Sequence, residues 1–210
     1  MSPVDPSPDL GAVPVHRRTM VFDAYDDGEE IRVVARLRDE RPWAGPVGAI
    51  EHLHDMELDV GVRKADMSIA SVRATMERFP HAECPSITGA FEGLVGLRVT
   101  RGYTRAVQEC FGGPRGCAHL EHLARAVGTV VVQAVTSGNA RARDWSSLDR
   151  PASEDAEQLN AARAAMRDTC HVWAEGGPGH RKLDAGWRPG RDEYPAPPVA
   201  VVLARRAAGG

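Results

Sequence analysis

No apolar run in these 210 residues approaches the ~20 that a membrane-crossing helix requires, so a membrane role is not expected. Charge of one sign is also lacking. Lys and Arg number 26 against 29 Asp and Glu, the net charge is −3, and the signs are mixed along the chain. That leaves no electrostatic case for nucleic acid or an anionic membrane surface. No Gly-rich phosphate loop is present, so no nucleotide cofactor is expected. There is no internal repeat. The opening MSPVDPSPDLGAVPVHRR has no apolar signal core; residues 1–15 read as a disordered lead-in, and a cytoplasmic protein is expected. Cysteine is scarce. Cys84, Cys110, Cys117 and Cys170 in such a chain do not suggest a disulfide framework, and none forms the paired C-x-x-C of a strong zinc signature. They are left as small core residues, reactive thiols or metal ligands.

What is present is a change of pattern along the chain. "TMVFDAY", a turn at "DDGEE" and "IRVVARL" read as a β-hairpin, followed by a loop at "RDERPWAGPVGA". "MELDVGV" and "SIASVRATM" alternate around "RKAD", which predicts a second hairpin. From Cys84 the spacing becomes helical. Ile87, Phe91, Leu94 and Val95 fall on one face of a short helix, weakened by Gly89, Gly93 and Gly96. A second helix stops at Gly112–Gly113, and a third follows Cys117 with Leu120, Leu123, Val127, Val131 and Val135 in a stripe. A fourth is expected from an N-cap at Ser153 to Trp173. Strands first and helices after predict an α+β fold: an antiparallel sheet from N-terminal hairpins with helices on one face. The expected organisation is one domain over residues 16–175 and a Pro/Gly-rich tail over 176–210.

Three stretches combine ligand-type side chains with turns: His52–Asp55 at a strand start, "FPHAEC" ending in Cys84, and "GCAHLEH" over Gly116–His122. A cysteine at a helix start feels the positive end of the helix dipole, which favours thiolate, the nucleophile and metal ligand. His119 and His122 are spaced to share a helix face. His52 and His54 alternate along a strand and share a face, with Asp55 on the other. Cys110 and Cys170 read as core. His122 reads as solvent-facing.

"YDDGEEIRVVARLRDE", "HLHDMELDVGV", "MERFPHAEC", "FEGLVGLRVTRGYTRAV", "GCAHLEHL" and "DTCHVW" together resemble a bacterial domain of unknown function, numbered 2889, from about His16 to Trp173. The resemblance implies that His54, Asp55, Cys84, Cys117 and His119 belong to one pattern. The run from His54 to Val135 also resembles the U-type iron–sulfur cluster scaffold proteins. That likeness implies metal-binding positions at Asp55, Cys84 and Cys117. The chain departs from the scaffold pattern at Leu53, where a cysteine is expected, and at Gly116, where a histidine is expected. Fewer thiolates favour Zn²⁺ or mononuclear iron over a cluster.

The expected function is an enzyme of small-molecule metabolism with lyase, cyclase or hydrolase chemistry. His54, Asp55 and His119 are the expected catalytic groups, and Cys84, Cys117, His54 and His119 the expected ligands of a Zn or Fe ion. A metal-free thiol mechanism on Cys117 or Cys84, a metal or cluster carrier without turnover, and an interaction protein whose cysteines merely pack are the alternatives.

Overall fold

The computed structural model describes residues 14–44, 51–142, 164 and 166–184. The chain divides into two compact units, residues 1–142 and 143–210. The first is built on four antiparallel strands in the order β1-β2-β3-β4: β1 (Arg17–Asp26), β2 (Glu30–Glu40), β3 (His52–Arg63) and β4 (Ile69–Arg78). The β1–β2 turn is closed by side chains. Asp26 accepts from the Gly28 amide, and Asp27 accepts from the amides of Glu29 and Glu30. Gly28 sits at φ 104°, which only glycine adopts without strain.

Alternation decides which face of this sheet is covered. Ile31, Val33, Ala35 and Leu37 on β2 and Met56, Leu58, Val60 and Val62 on β3 point the same way and are buried. Each such large apolar side chain contributes roughly 1.5–3 kcal/mol by leaving water. The opposite face carries cross-strand ion pairs between directly opposed residues, Arg36 with Glu57 and Arg38 with Asp55.

The covering layer follows in chain order. A 3₁₀ helix over Cys84–Leu94 packs against β4 and buries Phe91 and Leu94. Helix α1 (Tyr103–Phe111) lies on helix α2 (Ala118–Ala142), which crosses β1, β2 and β3. Phe91 and Phe111 stack with centroids 4.6 Å apart, joining the 3₁₀ segment to α1. Tyr103 donates its buried hydroxyl hydrogen to the carbonyl of Ala124. The α+β fold with helices on one face is as expected from the sequence.

Some elements differ from the expectation. The first helical segment is 3₁₀ rather than α, consistent with Gly89 and Gly93 within it, which lower its α-helix propensity, and Val95 lies exposed beyond its end. Cys110 and Cys170 are exposed rather than core. The helix expected from Ser153 begins outside the described residues, and its final stretch, 167–173, is turns. In the second unit a short helix α3 (Pro178–Asp184) follows these turns, and Trp173 meets His180 edge-on at 5.8 Å.

Candidate metal centre

The inward row of β2 does not end at Leu37. Two residues on, in the same phase, stands Asp39, with only 1% of its side chain exposed. The strand register places Arg18 of β1 and His54 of β3 directly opposite it, so Arg18, Asp39 and His54 form one row across three strands. His119 arrives from the first turn of α2. The approach to that turn is tight: a Cβ on Gly116 would lie 2.4 Å from the Phe111 carbonyl oxygen, so only glycine passes. Cys117 follows, and its carbonyl accepts the Glu121 amide to start the helix.

Both Asp39 oxygens are shared. Oδ1 accepts from Arg18 Nε at 2.7 Å and lies 3.2 Å from His16 Nε2. Oδ2 accepts from Arg18 Nη2 at 2.7 Å and faces His54 Nδ1 at 3.0 Å and His119 Nε2 at 3.4 Å. Exposure rises outward from the acid: 15% for His54, 24% for His119, 36% for Arg18 and 45% for His16. Burial alone would push the Asp39 carboxyl up. The Arg18 hydrogen bonds and charge, with His54 and His119, outweigh burial and bring it down to about 2. Burial, aided by His54 and Arg18, holds the His119 imidazole below its ordinary value. The imidazole is therefore biased toward the neutral form, the one that binds metals.

Asp39, His54 and His119 can hold a metal ion: each offers one ligand atom, and these atoms lie within 4.8 Å of one another. The spacing suits a shared ion. With bonds of about 2.1 Å, ligand atoms stand roughly 3.0 Å apart at a right angle and roughly 3.4 Å apart at the tetrahedral angle. The imidazole-to-Oδ2 separations are 3.0 and 3.4 Å. Two imidazoles and one carboxylate leave coordination positions open for water or substrate. The His54 and His119 rings, 3.9 Å between centroids and tilted by 34°, converge on the same side of the carboxylate.

Of the residues expected from the sequence, the fold brings His54 and His119 together. Cys117 is adjacent, its Sγ 3.8 Å from His119 Nδ1, on the ring nitrogen that faces away from Asp39. Neither Cys117 nor Cys84 belongs to the group of converging ligand atoms. Cys84 is half-buried at the head of the 3₁₀ helix. Asp55 lies on the opposite face of the sheet, held by Arg38 at 2.7 Å. His52 does not share the His54 row. A register shift after Asp39 sets it opposite Glu40, with Nδ1 3.5 Å from the Glu40 carboxylate. His122 is half-buried rather than solvent-facing. The sequence pattern alone does not single out Asp39, Arg18 or His16. Their signal was phase: Asp39 continues the inward series Ile31, Val33, Ala35, Leu37, where a charge has no business unless it is paired.

No described helix is long and apolar enough to cross a membrane. Residues 16–133 match the family model described as protein of unknown function (DUF2889), a span holding His16, Arg18, Asp39, His54, Cys117 and His119. No curated protein and no solved structure matches the chain, and the likeness to iron–sulfur scaffolds is not shown by these comparisons. With more than half its length matched, the chain belongs to the DUF2889 family.

Proposed function

We propose that this DUF2889 protein is an enzyme of small-molecule metabolism whose centre is a Zn²⁺ or Fe²⁺ ion on Asp39, His54 and His119. The observation that carries the reading is the pair of imidazole nitrogens at 3.0 and 3.4 Å from one buried carboxylate oxygen. Held by these three residues, such an ion would supply Lewis-acid chemistry toward a carbonyl or a water, which suits lyase, cyclase or hydrolase reactions. His16, at the exposed edge of the group, is the imidazole available to accept a proton from water or substrate. Cys117 supports the ring of His119 through Nδ1 and is the thiol nearest to joining the ligand set. A second reading, a metal carrier without turnover, uses the same three residues. It is favoured by the Arg18 grip on both Asp39 oxygens, because a guanidinium competing for the carboxylate weakens the hold on an ion.

Metal analysis of anaerobically purified protein tests the centre. The expected result is on the order of one zinc or iron per chain, lost in His54→Ala and in His119→Ala but kept in Cys84→Ser. Wild-type protein that carries no metal and takes up neither added Zn²⁺ nor Fe²⁺ refutes the reading. Melting in chelator separates loss of metal from loss of fold.

A further inference from the structure

Donors outnumber acceptors around Asp39. One buried carboxylate meets a guanidinium and the imidazoles of His16, His54 and His119. Arg18 uses Nε and one Nη2 hydrogen on Asp39. Its Nη1 hydrogens and the second Nη2 hydrogen have no acceptor among the described residues. This unused edge belongs to a side chain that is partly exposed, beside the more exposed His16. The rim is therefore cationic and hydrogen-bond-donating, while the acid is sealed beneath it. A bound divalent ion would add to that imbalance, since the Arg18 charge already cancels that of Asp39. Next to His16, the carbonyl of Val15 accepts the indole N–H of Trp43 at 2.9 Å, which ties an exposed aromatic ring to the same segment.

We propose that the centre takes a carboxylate-bearing small molecule, its carboxylate on the unused Arg18 edge, with the reacting atoms toward Asp39, His54 and His119. The guanidinium fork matches the two oxygens of a carboxylate, as its grip on Asp39 already demonstrates. The exposed Trp43 ring offers an apolar surface to the organic part of such a molecule. This inference rests on the proposed metal centre for its chemistry, but its recognition element is Arg18, which is not a ligand.

The test titrates the full chain, with and without Zn²⁺, against benzoate and acetate, with benzylamine and inorganic phosphate as comparisons, using calorimetry and tryptophan fluorescence. Benzoate is expected to bind, benzylamine is not, and Arg18→Gln should weaken benzoate by at least about tenfold with zinc content retained. Arg18→Lys, which keeps the charge and loses the fork, should fall between the two and carries the test should Arg18→Gln not fold. Equal benzoate affinity in wild type and both variants overturns the inference, as does a preference for phosphate or benzylamine. Zinc uptake without benzoate binding removes the inference and leaves the metal centre. Benzoate binding through Arg18 in a protein that never holds metal does the reverse.

Discussion

Replacing Asp39 by Asn keeps the size and shape of the side chain and removes its charge, so it measures what the buried carboxylate contributes. The carboxyl is held near 2, against 3.8 for the group in water. The folded state therefore binds its proton less readily than the unfolded chain, and the charged form contributes stability above the unfolded value. The gap corresponds to about 2 kcal/mol at pH 7, falling to about half of that at pH 3 and about a sixth at pH 2. Urea unfolding of wild type and Asp39→Asn, both in chelator so that no ion contributes, supplies the numbers. At neutral pH the variant should unfold about 2 kcal/mol more easily. The two curves should converge as acid titrates the wild-type carboxylate, because stability present above the unfolded value is lost as pH falls through the folded one. A difference that stays constant from pH 7 to about pH 3 would mean that Asp39 acts by shape and hydrogen bonding alone. No difference at neutral pH would mean that the Arg18 grip does not persist in solution.

Other expectations follow from the same geometry. Phe91, fully buried and stacked on Phe111, should cost about 3–5 kcal/mol on replacement by Ala, read by urea unfolding. Asp55→Asn breaks only a partly exposed pair with Arg38, so stability should fall by less than about 1 kcal/mol and metal content should not change; a metal-free Asp55→Asn would restore Asp55 to the site. His119 is held below its ordinary 6.5, so the folded state resists protonation and stability is lost as pH falls below that value. In chelator, wild type should weaken more steeply than His119→Gln below about pH 6.5, and parallel curves would contradict the burial of that ring.

Much of the fold was legible because it obeys simple periods. Alternation from His16 to Leu37, with "DDG" between, identifies the first hairpin, and the 3.6-residue stripe Leu120, Leu123, Val127, Val131, Val135 identifies α2. The centre was half legible. His54 and His119 attract attention as histidines near turns. Asp39 does not, because the strand pattern of β2 reads as ending at Leu37 and "RDE" as loop; the strand in fact runs to Glu40. Strand ends are where pattern is weakest, since a polar residue there reads equally as an edge or a loop. The thiols stand out by chemistry rather than position. A helix-start cysteine favours thiolate, but whether it meets a partner depends on how α2 crosses the sheet, and no local pattern encodes that. Arg18 was missed for a related reason: its partner lies 21 residues away and is identified only by strand register.

The Arg18–Asp39–His54 row also bears on why it exists. A buried ion pair returns little net stability, because desolvation offsets attraction, although removing one partner is costly. Continuing the apolar series of β2 by one more inward residue would have served the fold as well. The prediction is therefore asymmetric. Asp39→Asn alone weakens the protein, but the combined replacement Arg18→Met, Asp39→Leu and His54→Phe should leave it within about 2 kcal/mol of wild type or more stable. That triple variant should bind neither zinc nor iron. Its new side chains extend a core already formed by Met20, Leu37 and Met56, so packing has continuous neighbours on all three strands. If it instead loses more than about 4 kcal/mol, the row is a structural clamp and its placement says nothing about chemistry. If it is stable and metal-free, the charged row serves something other than holding the sheet together.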